Sequence, residues 1–149
     1  MLIFLAALLL FFSLIPYTVY FFGIYLGKKP VQITPLQNYP YISIIISAYN
    51  EEQVIGKRIA NIKNCHYPSE RYELIFVDDC SSDNTKNLAK ICLEKSGIDY
   101  RVIANTERRG TTRSYNAAIE KAKYPIIVTT DADVFFEPDA LNYLIGRLL

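Results

Sequence analysis

Hydrophobic and polar positions divide the chain into two regions. Met1 to Gly27, "MLIFLAALLLFFSLIPYTVYFFGIYLG", contains no charged residue, whereas every Lys, Arg, Asp and Glu lies after it. An α-helix rises about 1.5 Å per residue, so roughly 20 apolar residues cross a hydrocarbon core about 30 Å thick. Residues 1–27 are therefore expected to form one transmembrane helix. Pro16 removes one helical hydrogen bond and is expected to kink it, and Tyr17, Tyr20 and Tyr25 suit an interfacial end. A cleaved signal peptide is the competing reading, disfavoured because a positive n-region and a small-residue cleavage site are both missing.

Residues 28–40, "KKPVQITPLQNYP", carry three prolines and no apolar period and read as an extended linker. From residue 41 the period changes repeatedly between that of a strand and that of a helix. "YISIIISAY", "YELIFV", "DYRVIA" and "YPIIVTT" are expected strands, the first and last buried by their β-branched runs. Between them "EEQVIGKRIANIKNC" places Val54, Ile55, Ile59 and Ile62 at helical spacing behind two acids suited to a helix start. "NTKNLAKICLEKSG" is a second helix, capped by Ser82 and Asp83 and ended by Gly97. "TRSYNAAIEKAK" is a third, with Ala117, Ala118 and Ala122, and "EPDALNYLIGRLL" opens a fourth with Pro138 near its first position. Strict alternation predicts the α/β class, a Rossmann-like, doubly wound, mostly parallel sheet over residues 41–149 with helices on both faces, preceded by the membrane helix.

Charge and cysteine content add a compartment. Lys28 and Lys29 are the first charges after the apolar run, so the positive-inside rule places the remainder on the cytoplasmic side of a single-pass cell-membrane anchor. Cys65, Cys80 and Cys92 have spacings that fit neither a zinc site nor a disulfide framework and are expected as reduced thiols, and a lone Cys65–His66 pair is a weak metal candidate. The formal net charge is +1 and no basic stripe interleaved with aromatics occurs, which sets nucleic acid aside as a partner.

In a doubly wound sheet the ligand crevice lies beyond the carboxyl ends of the strands. Those positions hold Asn50, Glu51 and Glu52 after the first strand, Asp78 and Asp79 after the second, and Asp131 and Asp133 after the fourth. So many like charges at one edge call for a cation or ligand donors. Any one of these acids could be a turn or capping residue. In extended geometry, however, Asp131 and Asp133 would point to the same side, roughly 6–7 Å apart at the backbone, and could share Mg²⁺ or Mn²⁺ beside a diphosphate.

Four segments in order, "PYISIIISAYNEEQVI", "YPSERYELIFVDDCSSDNT", "RRGTTRSYNAAIEKA" and "DADVFFEPDAL", give the chain its resemblance to family-2 glycosyltransferases of the GT-A fold, from about Tyr39 onward. The resemblance implies a nucleotide-sugar-binding unit at residues 41–149 that works as an inverting transferase. Ala48, Tyr49, Asn50 and Glu51 would frame the base and ribose, and one of Asp78 and Asp79 would bind a uracil edge. Gly110, Arg113 and Asn116 would face the donor, Asp131 the ribose and donor sugar, and Asp133 the metal. A uridine-diphosphate sugar is favoured over guanosine-diphosphate mannose, with a polysaccharide or lipid-linked acceptor.

The chain departs from the family pattern at Thr111, where many processive members carry lysine, which leaves Arg108, Arg109 or Arg113 to meet the phosphates. The family's general base, and the Gln-x-x-Arg-Trp motif of processive members, would fall beyond Leu149, so the sequence is expected to be a donor-binding half, either a fragment of a longer synthase or a chain whose remainder a partner supplies. A non-catalytic nucleotide-binding remnant is the alternative. A nucleotidyltransferase is disfavoured by "SAYNEE" after the first strand, where a Gly-rich basic loop would stand, and a haloacid-dehalogenase-type phosphatase by the position of the DAD motif after the fourth.

Overall fold

The computed structural model describes residues 2–26, 36 and 38–149. The chain forms two compact units, Met1–Ile33 and Thr34–Leu149. In the first, α1 (Leu2–Leu26) continues through Pro16, and its Leu8–Leu26 part is long and apolar enough to cross a membrane by length and composition. Ser13 and Thr18 turn their hydroxyls back onto the carbonyls of Leu10 and Ile15, both at 2.8 Å, so these two hydroxyls are satisfied within the helix. Most of the expected linker, residues 28–35 and 37, lies outside the described residues.

The second unit alternates as the sequence pattern predicts: β1 (Ile42–Ala48), α2 (Ile55–Lys63), β2 (Tyr72–Asp78), α3 (Thr85–Ser96), β3 (Asp99–Ala104), α4 (Thr111–Ile119), β4 (Ile126–Asp131) and α5 (Ala140–Leu148). All pairings are parallel and the order is β3-β2-β1-β4. Successive side chains of a strand point to opposite faces. Ile44, Ile46, Leu74 and Phe76 thus pack on one side with Ile55, Ile59 and Ile62 of α2, Ala89 and Leu93 of α3, and Leu141 and Ile145 of α5. Ile45, Ile75 and Val77 pack on the other with Ala118 and Tyr115 of α4. Helices cover both faces, the second more thinly.

β1 and β2 are buried at every position, but β4 is not the fully buried strand its sequence suggests. It lies at the edge of the sheet, and Thr129 and Asp131 are exposed on one of its faces. Helix boundaries also differ from the sequence reading. Glu51 and Glu52 stand before α2 rather than in its first turn, and the Glu51 carbonyl accepts the Val54 and Ile55 N–H groups at 3.1 and 2.9 Å. At α3, Asp83 accepts the Thr85 N–H at 3.0 Å as a capping residue would, whereas Ser82 spends both its N–H and its hydroxyl on Asn50 Oδ1. Gly97 ends α3 in the left-handed region, φ 75°, where glycine has no Cβ penalty. α4 stops at Ile119, leaving Ala122 past the helix, and Pro138 precedes the Asp139 cap of α5 instead of sitting inside it.

Phe76 is fully buried at the centre of the larger core. Phe76→Ala is expected to destabilise the second unit by about 3–5 kcal/mol, read as a fall in the urea midpoint of the full chain in detergent with the denaturant slope unchanged.

Candidate active site at the sheet's switch point

From β1 the chain runs outward through β2 and β3, then returns across the other face through α4 to lay β4 against the free side of β1. That reversal leaves a crevice between the carboxyl ends of β1 and β4, where Ser47 is the register partner of Asp131. A cleft of about 300 Å³ opens there, lined by Ser47, Ala48, Tyr49, Glu51, Asp79, Arg108, Gly110, Thr111, Asp131, Ala132 and Asp133. Four carboxylates and one guanidinium therefore face one another.

The acids that look alike in the sequence occupy different environments. Asp79 is only 3% exposed, and its Oδ1 accepts from Asn105 Nδ2 at 2.8 Å, the Arg109 N–H at 2.9 Å and Ser114 Oγ at 3.2 Å, while Oδ2 accepts the Gly110 N–H at 2.8 Å. Burial alone would push its pKa up, but these donors, the Arg109 N–H foremost, outweigh it and hold the carboxyl below the usual aspartate value. Asp79 thereby binds the 105–110 loop and the start of α4 to the end of β2. Asp78, equally buried, does not line the cleft; Oδ2 accepts the Ser81 N–H at 3.3 Å, and Oδ1 is buried without a partner.

Asp131 and Asp133 are exposed, and the extended geometry expected for them stops at Asp131, the last residue of β4. Ala132 and Asp133 form a turn in which the Ala132 side chain is buried, and both acids border the cleft. Tyr115 on α4 donates its hydroxyl to Asp131 Oδ1 at 2.7 Å. Burial first, then that hydrogen bond, raises the phenol's pKa. Across the cleft, burial and then the charges of Asp133 and Asp83 raise the pKa of Glu51.

The other expected residues are distributed around this centre. Asn50 adopts φ 56°, a left-handed conformation Asn tolerates, and its side chain ties the β1–α2 loop to Ser82 at 2.8 Å, so it shapes the rim without lining the cleft. Gly110, at φ 80°, caps α4; that backbone conformation favours glycine, and no atom lies within 4 Å of where its Cβ would be, so the space before it is open. Arg113 and Asn116 are exposed on α4 and do not line the cleft. Of the three candidate arginines only Arg108 does, its guanidinium 4.0 Å above the Tyr49 ring, whereas Arg109 lies 3.7 Å from Glu107. The sequence reading missed Tyr115 because it shares a helix face with Ala118 and reads as core, and nothing in the sequence marks its hydroxyl.

Among the described residues no group of three or more His, Cys, Asp or Glu side chains is arranged to hold a metal ion. The donors that border the cleft nonetheless suit one. Asp131 and Asp133 present exposed carboxylates, and Mg²⁺ typically takes one or two carboxylates and completes its shell with phosphate oxygens and water.

Comparison with known proteins identifies the fold and the family. A mannosyltransferase from Pyrobaculum calidifontis, solved in complex with GDP-Man and Mn²⁺, superposes with a TM-score of 0.78 at 29% identity, covering 89% of this chain and 39% of that one. TarS of Staphylococcus aureus, solved with UDP-GlcNAc, shares the fold with a TM-score of 0.66 at 22% identity over 72% of this chain and 31% of that one. The class is thus an α/β domain of the GT-A glycosyltransferase fold. The family model described as "Glycosyl transferase family 2" matches residues 43–149, and the chain belongs to that family. The poly-β-1,6-N-acetyl-D-glucosamine synthase of Staphylococcus aureus is 32% identical over 121 residues, 80% of this chain. A probable glycosyltransferase, YdaM of Bacillus subtilis, is 32% identical over 116 residues, 76% of this chain. The chain spans 28% of the length of each of these relatives.

The hydrogen bonds on Asp79 carry a pH signature. Because its folded pKa is depressed, its contribution is fully present above the unfolded value of about 3.9 and is lost as pH falls through the lower folded value. Wild type is expected to lose stability more steeply than Asp79→Asn below about pH 4, with the variant the less stable at pH 7, as read from urea midpoints across the pH series.

Proposed function

We propose that this chain is the donor-binding part of a membrane-anchored, inverting glycosyltransferase that takes its sugar from a nucleoside-diphosphate donor. The observation that carries this reading is the cleft at the switch point, where Asp131, Asp133, Glu51 and Asp79 face the single cation Arg108. Tyr49 and the β1–α2 loop, held in place by Asn50, would take the base and ribose. Gly110, with open space before its backbone, lets a sugar diphosphate approach the start of α4. Arg108 would take the place of the lysine that many processive members carry, exchanging the face of Tyr49 for phosphate oxygens.

Asp131 and Asp133 would hold Mg²⁺ or Mn²⁺, and the ion would neutralise the charge that grows on the departing nucleoside diphosphate. Tyr115 would fix the Asp131 carboxylate by occupying Oδ1. The apolar α1, followed in sequence by Lys28 and Lys29, supports anchoring in the cell membrane with the second unit on the cytoplasmic side. The relationship to the N-acetylglucosamine polymer synthase favours a uridine-diphosphate donor and a glycan or lipid-linked acceptor; the likeness to the mannosyltransferase keeps guanosine-diphosphate mannose as the competing donor.

Calorimetric titration of the full chain in detergent with uridine diphosphate and guanosine diphosphate, each with and without Mn²⁺, tests the reading. One nucleotide is expected to bind in a Mn²⁺-dependent manner, and Asp133→Ala to abolish that dependence. Arg108→Ala should weaken binding roughly tenfold to a hundredfold, the value of a charge-assisted hydrogen bond of about 1.5–3 kcal/mol. If a correctly folded chain binds neither nucleotide, the donor-site reading is wrong.

A further inference from the structure

Beneath the turn that bears Asp131 and Asp133 lies a charge the cleft does not explain. Arg58 on α2 is 0% exposed. Its guanidinium donates to Thr130 Oγ1 at 2.9 Å and to Asn61 Oδ1 at 2.6 Å and stacks 4.1 Å from the Phe136 ring centroid. Asn61, one helical turn along, accepts the Phe136 N–H at 2.9 Å and donates to the Phe136 carbonyl at 2.8 Å. Thr130 immediately precedes Asp131, and Phe136 comes three residues after Asp133. Two adjacent side chains of one helix therefore grip both ends of the acidic turn.

This grip is an expensive way to achieve stability. None of the ion pairs among the described residues includes Arg58, and its Nε is buried without a hydrogen-bond partner. Burial lowers its pKa to about 10, which leaves it charged at neutral pH. Well-packed apolar side chains of similar volume usually match or exceed the stability of buried charges, so a buried cation without a counter-ion is poorly explained as a packing element. In contrast, one guanidinium N–H fixes Thr130 on one side of the turn, and the other holds Asn61, whose amide fixes Phe136 on the far side. α2 also begins directly after the loop that carries Glu51, so one rigid element spans from the base-side rim to the acidic turn.

We infer that Arg58 and Asn61 are positioning residues for the Asp131–Asp133 turn, setting its distance from the β1–α2 loop so that a metal ion and a diphosphate can be held together. The inference rests on the donor-site reading above.

The test uses the full chain in detergent with Thr130→Val, Arg58→Met and Arg58→Lys. Mn²⁺ affinity is measured by electron paramagnetic resonance in the presence of saturating uridine or guanosine diphosphate, whichever the wild type binds. Nucleotide affinity without metal and amide exchange at residues 131–136 without ligand are measured alongside. Thr130→Val and Arg58→Met should weaken Mn²⁺ binding at least tenfold and speed exchange in the turn, leaving metal-free nucleotide affinity within about twofold, with Arg58→Lys recovering part of the loss. Should Arg58→Met fail to fold, Thr130→Val, which removes one hydroxyl, carries the test. Folded variants with wild-type Mn²⁺ affinity and wild-type exchange overturn the positioning role alone. A wild type that binds nucleotide without regard to Mn²⁺ overturns the donor-site reading and this inference with it.

Discussion

The parallel pairing of β1 with both β2 and β4 is the constraint from which the rest of the second unit follows. Ile42–Ala48 is buried at every position, so its backbone groups have no access to water and must be satisfied by strands on both sides. Parallel neighbours bring every carboxyl end to the same edge, and parallel connections must cross a face of the sheet, which places helices over both. The cleft is a consequence of that geometry, since the chain leaves β1 on one side toward β2 and comes back to it on the other as β4.

Along that edge the acids divide their work according to how many donors each meets. Asp79 has donors on both oxygens and fastens the loop that carries Arg108 and Gly110. Asp131 has one oxygen engaged by Tyr115 and presents the rest to the cleft. A carboxylate saturated with N–H donors organises the protein around itself, whereas one with free lone pairs stays available to a cation or a ligand. The left-handed conformations of Asn50 and Cys80, φ 56° and 62°, belong to the same architecture. They fold the β1–α2 and β2–α3 loops against each other, where Asn50 N–H meets Ser81 Oγ at 3.0 Å and Glu51 N–H meets Thr85 Oγ1 at 2.7 Å.

Much of this order is legible in the sequence because it depends on local signals. The Ile run of β1, the helical spacing of Ile55, Ile59 and Ile62, and Gly97 at the end of α3 each specify an element without reference to any other. What escapes is set by pairings between distant residues. Nothing local separates β4 from a central strand, since its exposure depends on which strands lie beside it. Asp78 and Asp79 are adjacent and chemically identical, yet strand alternation and the approach of the 105–110 loop give them different partners. Arg58 reads as one more solvated base on an amphipathic helix; only the packing of Thr130 and Phe136 over α2 buries it. Arg108, Arg109 and Arg113 are separable only once the loop's path is known.

Arg58 and Arg108 each lie about 4 Å from an aromatic ring centroid, and the difference in their burial determines what each can do. An exposed cation–π contact is worth about 0.5–1 kcal/mol, less than the roughly 1.5–3 kcal/mol of a hydrogen bond to a charged group. Arg108, exposed on the cleft rim, can therefore leave Tyr49 for an anionic ligand at a net gain. Arg58 has no such exchange open to it: moving it would strand a buried charge and release Thr130 and Asn61 together. The cleft thus sets one exposed arginine at its mouth and one buried arginine behind its acidic turn, an arrangement that would let the rim reorganise around a ligand while the carboxylates stay in place.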